Sequence, residues 1–333
     1  MTRRIAFVTG GAGFIGSNIA AKLAEDRSLD VVVCDRLHEA ELGKWRNIAK
    51  HPIGDFVAPE AMFDWLEKRW RDVEVVIHMA AISSTMEPDA DKIVHSNFTL
   101  SRDLFRWCAD RQRRLIYASS AATYGAGEHG FDDDNSYEAL ARLRPLNTYG
   151  WSKALFDAFA VRQAARDYAP PQWVGLKFFN VYGPNEEHKH SMKSVAAQIW
   201  PHVRDGHGVQ LFKSYRADIP DGGQTRDFVY VRDAADVVDW LLRNSKVNGI
   251  YNLGSGKARS FADMAGAVFK AAGRDPAINY VPMPPAIRDK YQYFTEARMD
   301  RLMAAGYPKP MTGLEEGIEE YVTRYLGQPD PHR

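Results

Sequence analysis

The stretch "VTGGAGFIG" (residues 8–16) is the most informative part of this chain. It ends an apolar run and opens a segment with helical patterning, so Gly10, Gly13 and Gly16 fall between a strand and a helix. Glycines at these places allow a tight turn, close approach of the backbone to a pyrophosphate, and close helix–strand packing. The unpaired N–H groups of the helix would then face the phosphates. The sequence therefore predicts a dinucleotide-binding turn.

Apolar runs with few internal charges recur along the first half of the chain, at "DVVVCD" (30–35), "EVVIHMA" (74–80), "RLIYASS" (114–120) and "QWVGLKFF" (172–179). Amphipathic segments with helical spacing lie between them. Such alternation is typical of a parallel sheet covered by helices on both faces. The sequence predicts an α/β protein with a doubly wound parallel sheet of the Rossmann type.

The regular alternation ends after residue 183, where segments rich in proline and glycine separate short elements. This pattern favours a smaller α/β lobe that binds the substrate. We expect a dinucleotide-binding domain over residues 1–183 and a mainly substrate-binding lobe over residues 184–330. Strands and helices near residues 226–256 are expected to return to the first domain.

The composition excludes several classes of protein. Among 333 residues, 43 basic side chains balance 43 acidic ones, so we expect no binding to nucleic acid or to an anionic membrane surface. Cys34 and Cys108 do not form a CxxC pair, which argues against a disulfide framework and a thiolate zinc site. No run approaches the roughly 20 apolar residues that span a bilayer. We expect a cytoplasmic protein.

Three residues bear on the choice between NAD and NADP. Asp35 closes the second predicted strand, where its carboxylate could accept hydrogen bonds from an adenosine ribose and repel a 2′-phosphate. Arg36 and Lys44 could instead hold that phosphate. We expect NADP, with NAD as the alternative.

The segment "NTYGWSKALFDAFA" (147–160) places Tyr149 and Lys153 one helical turn apart on a common face. An ammonium about 4–5 Å from the phenol would lower the tyrosine pKa by two to three units at an effective dielectric constant of about 20. Lys153 could also bind the nicotinamide ribose. Ser120, directly after the fourth predicted strand, could bond the substrate oxygen that is oxidised.

These three motifs together resemble the extended short-chain dehydrogenase/reductase family, which acts mainly on nucleotide sugars. The segments "NVYGP" (180–184) and "TRDFVYVRD" (225–233) extend the resemblance over nearly the whole chain. The resemblance implies an enzyme that forms homo-oligomers. The 4,6-dehydratases of that family carry an Asp-Glu pair where this chain has Ala121 and Ala122, so water elimination is not expected.

A narrower resemblance is to the ADP-glyceromanno-heptose 6-epimerases, carried by "YASSAATYG", "PLNTYGWSKALFD", "FFNVYGPNEEHKHSMKSVA" and "KYQYFTEARMDRLMAAGY". It implies inversion of C6 in ADP-D-glycero-D-manno-heptose through a keto intermediate, which is then reduced to the ADP-L-glycero-D-manno epimer. The cofactor would be oxidised and reduced within one turnover. Lys189 then corresponds to a second catalytic base that shares the proton transfers with Tyr149.

Two other interpretations of Lys189 stay open. His188 and His190 could share a metal ion, although a third ligand is not evident in the sequence. The segment could also be a solvated basic loop. The catalytic interpretation is the one that we expect.

The resemblance also assigns contacts residue by residue. The cofactor-binding positions are Gly10, Gly11, Gly13, Phe14, Ile15, Gly16, Asp35, Arg36, Lys44, Met79, Ala80, Ala81, Ile82, Ser83, Asn97, Tyr149, Lys153, Val181 and Lys189. The substrate-binding positions are Ser120, Asn180, Ser191, Gln198, Phe212, Lys213, Ser214, Tyr215, Arg226 and Tyr291, of which Arg226 would bind the diphosphate.

Several positions depart from the pattern of the heptose epimerases. Pro59 stands where a lysine that binds the cofactor is usual, Asn185 where arginine is common, and Gln198 where a histidine is common. These changes leave two alternatives to an ADP-heptose epimerase. One is another nucleotide-sugar epimerase or reductase, and the other is a non-catalytic dinucleotide-binding sensor. A sensor would be expected to lose its acid–base residues, yet this chain keeps them.

Overall fold

The computed structural model describes residues 4–37, 43–85, 87–288 and 291–333. Its strands are β1 (Arg4–Thr9), β2 (Leu29–Cys34), β3 (Asp55–Val57), β4 (Val73–His78), β5 (Arg114–Ser120), β6 (Trp173–Phe178), β7 (Asn180–Tyr182), β8 (Val209–Phe212), β9 (Thr225–Tyr230), β10 (Gly249–Leu253), β11 (Ala258–Ser260) and β12 (Ile278–Val281).

The α-helices are α1 (Phe14–Leu23), α2 (Met62–Arg69), α3 (Ala90–Ile93), α4 (Leu100–Asp110), α5 (Tyr137–Arg142), α6 (Thr148–Ala164), α7 (Val195–Arg204), α8 (Val231–Arg243), α9 (Phe261–Ala271), α10 (Pro285–Arg288), α11 (Asp300–Ala304) and α12 (Leu314–Tyr321). Short 3₁₀ segments occur at Lys44–Asn47, Pro59–Ala61, Ala121–Tyr124 and Glu187–Met192.

Seven parallel strands form the central sheet in the order β10-β6-β5-β4-β1-β2-β3. The strand order reverses between β1 and β4, because the chain continues from β1 to one side and from β4 to the other. Crevices at such a reversal, beyond the carboxyl ends of the strands, are the usual ligand sites of doubly wound sheets. The predicted fold class is confirmed.

The alternation of side chains along β1 explains why helices cover both faces of the sheet. Ala6 and Val8 are buried in one cluster, whose helical members come mainly from α1 and α8. Ile5 and Phe7 point to the opposite cluster, which includes residues of α4 and α6. A strand buried on both faces must be apolar at every position, as β1 is over most of its length.

A second body of structure lies after β6. Strands β7, β9 and β11 form one small sheet, and β8 pairs with β12 in another. Helices α7, α9 and α12 share a hydrophobic cluster with these strands, and Phe14 of α1 belongs to the same cluster. Strand β10 pairs with β6 in the main sheet, although it follows this second body in sequence. The division of the chain at residue 183 stays a prediction.

The amphipathic stretch "DKIVHSNFTLSRDLFRWCADR" (91–111) predicts one helix, but the structure has a π-helical segment at Val94–Thr99 between α3 and α4. The segment 147–160, predicted to carry Tyr149 and Lys153 on one helical face, lies at the start of α6, which ends at Ala164. Within residues 4–37, 43–85, 87–288 and 291–333, no helix has both the length and the apolar character to cross a bilayer.

Candidate active site

A cleft of about 700 Å³ lies at the carboxyl edge of the sheet, where β1, β4 and β5 end. The segment after β7 forms its opposite wall. Many of the predicted residues line it, namely Gly10, Gly13, Phe14, Ile15, Gly16, Asp35, Arg36, Lys44, Met79, Ala80, Ala81, Ile82, Ser83, Ser120, Tyr149, Lys153, Asn180, Val181 and Lys189. The fold therefore brings the glycine motif, the tyrosine–lysine pair and Lys189 to one cavity.

The glycine turn has the shape that a pyrophosphate requires. Gly10 has φ +66°, and a Cβ added there would lie 2.7 Å from the backbone nitrogen of Ala80. A Cβ on Gly16 would lie 2.1 Å from the Gly10 carbonyl oxygen. Among the described residues no side chain caps the start of α1 at Gly13, so its first N–H groups are available to an anion. The turn fits the phosphates of a dinucleotide.

Gly11 belongs to the same turn but points away from the cleft, because a Cβ on it would meet the side chain of Val33 at 3.0 Å. Its part in the turn is the close packing of the backbone on β2. The glycine motif predicted Gly11 as a cofactor-binding residue, but the motif does not distinguish glycines that face the ligand from glycines that face the sheet.

At the adenosine end of the cleft, Asp35 already has partners. Its carboxylate accepts a hydrogen bond from the backbone N–H of Ala12 at 2.9 Å and one from the Lys44 ammonium at 2.6 Å. The Arg36 guanidinium is paired with Glu60, and both side chains are more than half exposed. The charges of Lys44 and Arg36 are thus balanced by the carboxylates of Asp35 and Glu60.

Tyr149 lies in the first turn of α6, whose N-cap is Asn147. The Asn147 side chain accepts a hydrogen bond from the backbone N–H of Gly150 at 2.8 Å, which fixes the start of the helix. The Tyr149 hydroxyl is hydrogen-bonded to the Ser120 side chain. Burial raises the pKa of Tyr149, and the hydrogen bond to Ser120 partly offsets that rise. The Ser120 hydroxyl lies at the end of β5 and also accepts a hydrogen bond from the Ala122 N–H at 3.1 Å.

Lys153 is directed at the sheet. Its ammonium donates a 2.8 Å hydrogen bond to the carbonyl oxygen of Ala118, and the residue is 2% exposed. Burial lowers the pKa of Lys153 to about 8, against a raising effect of the Asp157 carboxylate. The prediction that Lys153 lowers the pKa of Tyr149 is wrong for the protein chain itself. The sequence showed the shared helical face but not the carbonyl group that binds the ammonium.

Asn97 lies in the π-helical segment and holds the wall of the cleft. Its side-chain oxygen accepts from the Ile82 N–H at 2.8 Å, and its amide donates to the Ile82 carbonyl at 3.0 Å. It also donates to the Ser152 hydroxyl at 3.1 Å. The segment Met79–Ser83, predicted to contact the cofactor, is thereby fixed by a residue that lies behind it.

Lys189 enters the cleft from the segment after β7. Its ammonium lies 5.0 Å from the ring centroid of Phe14, at the start of α1. Across the residues that the structure describes, this ammonium donates no hydrogen bond to the protein. Burial lowers the pKa of Lys189, while the Glu186 carboxylate raises it. A partly buried cation that faces a cavity is poised to bond with a bound ligand.

His188 also lines the cleft, and its Nδ1 lies 3.1 Å from the side-chain amide of Asn47. Burial and the nearby Lys44 and Lys189 ammonium groups lower the pKa of His188 to about 4, so the ring is neutral near pH 7. No cluster of three or more His, Cys, Asp or Glu side chains that could hold a metal ion occurs across the described ranges.

The remaining predicted substrate residues lie beyond the cleft wall. Gln198 donates to the carbonyl groups of Ser191 and Lys193 and so supports the segment that carries Lys189. Arg226 is buried, with its guanidinium 5.2 Å from the Tyr291 ring centroid and 5.5 Å from that of Phe261, which does line the cleft. The stretch Phe212, Lys213, Ser214 and Tyr215 ends β8 and continues into the following loop, with Tyr215 exposed.

Sequence reasoning missed several side chains of the cleft. Phe178, Phe179, Met192, Val195, Phe228 and Phe261 line it, together with Ser96, Leu100 and Lys193. Apolar residues at strand ends and helix starts look like ordinary core residues in a sequence. No local pattern separates them from the core, and their place in the cleft follows from the tertiary fold.

Comparisons with known proteins agree with this geometry. The model of the NAD dependent epimerase/dehydratase family matches residues 6–254. The ADP-L-glycero-D-manno-heptose-6-epimerase of Nitratidesulfovibrio vulgaris is 47% identical, with 98% of this chain and 99% of the relative covered. The enzyme of the same name from Fusobacterium nucleatum is 44% identical, with 98% and 99% covered. The crystal structure of Helicobacter pylori ADP-L-glycero-D-manno-heptose-6-epimerase superposes with a TM-score of 0.79 at 28% identity, with 97% and 96% covered. This chain belongs to the NAD dependent epimerase/dehydratase family.

Proposed function

We propose that this protein is a nucleotide-sugar epimerase that inverts C6 of ADP-D-glycero-D-manno-heptose. The observation that carries the proposal is the meeting of Tyr149 and Lys189 in one cleft beside the glycine turn. Full-length relatives at 44–47% identity bear the name ADP-L-glycero-D-manno-heptose-6-epimerase, which supports this choice of sugar.

The cofactor would lie along the cleft from the glycine turn to Lys153. The N–H groups at the start of α1 would hold its pyrophosphate, and Lys153 would bind the nicotinamide ribose. A bound nicotinamide dinucleotide supplies reversible two-electron oxidation of the reacting carbon. We propose NADP, because Arg36 and Lys44 flank Asp35 and can offer cations to a 2′-phosphate once their present partners are displaced.

Tyr149 and Lys189 would divide the proton transfers. Tyr149, hydrogen-bonded to Ser120, would exchange a proton with the substrate oxygen on one side of the reacting carbon. Lys189 would serve the other side, where its ammonium has no protein hydrogen-bond partner among the described residues. Acid–base groups on both sides of the reacting carbon are useful for an inversion, whereas a simple reductase needs only one. Lys153 would orient the cofactor and contribute a positive charge.

A single incubation tests the function. Purified protein is mixed with ADP-D-glycero-D-manno-heptose without added cofactor, and the two 6-epimers are separated and quantified. Conversion to a mixture of epimers would support both the reaction and a nicotinamide that stays with the protein. No conversion by protein that carries intact cofactor would point to another nucleotide sugar, with Gln198 and Asn185 as the first positions to examine.

Tyr149→Phe tests the enzyme against a non-catalytic sensor. Loss of the hydroxyl should reduce turnover by about 10²- to 10⁴-fold and leave cofactor content unchanged. Tyr137→Phe is the matched control, because Tyr137 is 43% exposed on α5 and lies outside the cleft. Equal turnover of the two variants would exclude Tyr149 as an acid–base group. We also propose a homo-oligomer, which light scattering of the purified protein would test.

A further inference from the structure

We propose that Glu186 is the positioning residue for Lys189. From behind the segment Glu187–Met192, its buried carboxylate fastens that segment and keeps the Lys189 ammonium charged at the cleft wall. The inference deepens the proposed function, since it rests on Lys189 acting as an acid–base group. Glu186 lies within the segment that carries the family resemblance, but the sequence analysis assigned it no role, and it does not line the cleft.

The carboxylate of Glu186 joins both ends of the segment. It accepts hydrogen bonds from the Ser194 N–H at 2.5 Å and from the Ser194 hydroxyl at 2.6 Å, at the far end. At the near end it accepts a longer bond of 3.5 Å from the Gly183 N–H. Tyr321 of α12 donates a third strong bond at 3.0 Å. The Lys189 N–H is bound to the Glu186 carbonyl oxygen at 3.0 Å.

This set of partners favours an ionised carboxylate. The two Glu186 oxygens receive four donors, and a protonated acid would place its own hydrogen against one of them. The Ser194 oxygen accepts from the Ala197 N–H at 3.3 Å, so its hydroxyl hydrogen is free for Glu186. Glu186 is 1% exposed, and burial raises its pKa against the lowering effects of Ser194, Lys189 and Tyr321. Buried anions persist when several donors bind them.

Few other charges act on the Lys189 ammonium. Phe14 of α1 offers the face of its ring, and His188 is neutral at the pH of interest. Glu187, the adjacent carboxylate, is turned away and paired with Lys193 at 3.1 Å. From α12 the nearest titratable group is Tyr321, which is itself bound to Glu186. Among these neighbours, Glu186 is the carboxylate that opposes the effect of burial on Lys189.

The first test measures the pKa of Lys189 directly, by competitive acetylation over a range of pH followed by mass spectrometry of the Lys189 peptide. In Glu186→Gln this pKa should fall by about 1–2 units, the usual effect of removing a nearby opposite charge. Glu187→Gln is the matched control, since it changes a neighbouring carboxylate on the same segment and should leave the value unchanged. An unchanged pKa in Glu186→Gln would overturn the inference.

A reciprocal variant serves if Glu186→Gln does not fold. The interaction free energy between two charged groups shifts both pKa values by the same amount. Lys189→Met should therefore raise the pKa of Glu186 by as much as Glu186→Gln lowers the pKa of Lys189. The carboxyl carbon of Glu186, labelled with ¹³C-glutamate and followed by NMR, reports that value. A Glu186 titration that is the same in the wild type and in Lys189→Met would also overturn the inference.

These titrations need no turnover, so the two proposals fail separately. If the wild type does not convert the heptose but Lys189 titrates lower in Glu186→Gln, the proposed substrate is wrong and the role of Glu186 stands. If the wild type converts the heptose but the Lys189 pKa is the same in Glu186→Gln, the proposed function stands and the role of Glu186 is wrong.

Discussion

The two lysines of the cleft differ in how the protein holds them. Lys153 lies on the 17-residue helix α6, with its ammonium bound to the Ala118 carbonyl group and its neighbour Asp157 in a buried network. In that network Asp157 is paired with the Lys177 ammonium at 3.2 Å. Lys189 lies on a short 3₁₀ segment that contains His190 at φ +50°, and its ammonium faces the cleft.

The difference separates two tasks. A buried side chain whose ammonium is hydrogen-bonded to the protein is suited to keep its position and orient other groups. A side chain whose ammonium donates no hydrogen bond within the described part of the protein can form a new bond with a substrate at little cost. Lys153 therefore suits a cofactor-orienting role, and Lys189 suits proton transfer. The first and third of the four predictions below test that division, and the other two test the cofactor-binding end of the cleft.

The largest expected effect comes from replacing each lysine by methionine. Lys189→Met should lower epimer conversion by about 10²- to 10⁴-fold while the protein keeps its cofactor. Lys153→Met should lower conversion by a similar factor and also release the cofactor on gel filtration. Absorbance of the eluted nucleotide and product chromatography measure the two properties. If both variants retained cofactor equally, the proposed division of tasks would be wrong.

Next in size is the effect of a methyl group at the glycine turn. Gly16→Ala would place a Cβ 2.1 Å from the Gly10 carbonyl oxygen, so the backbone must shift and cofactor affinity should fall about 100-fold. Gly266→Ala is the control, because that glycine lies in α9 with no atom within 4 Å of the added carbon. The control should bind normally and melt at a slightly higher temperature. Calorimetric titration and thermal melting distinguish the outcomes.

The pH dependence should follow Lys153. Its pKa is lowered to about 8 by burial, so the folded protein loses this proton as pH rises through about 8. Turnover that needs the ammonium should then fall about tenfold per pH unit above that value. Stability should change in the opposite sense. Between about pH 8 and the ordinary lysine value, the unfolded chain binds more protons, so the contribution of Lys153 to stability rises with pH.

Rate profiles and chemical denaturation at matched pH values check both signs. If turnover fell only near the ordinary pKa of lysine, the Lys153 ammonium would be more stable in the protein with cofactor and substrate bound than in the protein alone.

The smallest expected effect concerns the adenosine end. Glu60→Gln removes the partner of the Arg36 guanidinium and should improve NADP affinity a few-fold, since surface pairs contribute little. Arg36→Ala should weaken NADP by a similar factor and leave NAD unaffected. Fluorescence titrations of both nucleotides provide the comparison. Equal effects on NAD and NADP would contradict the assignment of Arg36 to the 2′-phosphate.

The sequence predicts the parallel sheet well because its signals are local. Each long strand is an apolar run, and the glycine turn and the Tyr149–Lys153 spacing depend on neighbours within a few residues. Strand β3 was not predicted, since three residues with Asp55 and Phe56 exposed carry no apolar pattern. The π-helical interruption at Val94–Thr99 was also missed, because amphipathic spacing continues through it.

Tertiary contacts decide the parts of the site that the sequence did not show. Asn97 is predicted to contact the cofactor, and in the structure its side chain is hydrogen-bonded to Ile82 and Ser152. Glu186 and Glu187 are adjacent and chemically identical, and one is buried against Tyr321 while the other is paired with Lys193. The burial of Glu186, which we propose to position Lys189, depends on Tyr321 of α12, 135 positions away along the chain.

That separation in sequence determines the order in which the parts of the site can be completed during synthesis. The glycine turn, Ser120, Tyr149 and Lys153 all lie in the first half of the chain, so a growing polypeptide can complete them early. The bond from Tyr321 to Glu186 forms only after α12 has been synthesised and packed. The support of Lys189 by Glu186 is therefore complete only when nearly the whole chain has been made, later than the groups that the first half contributes.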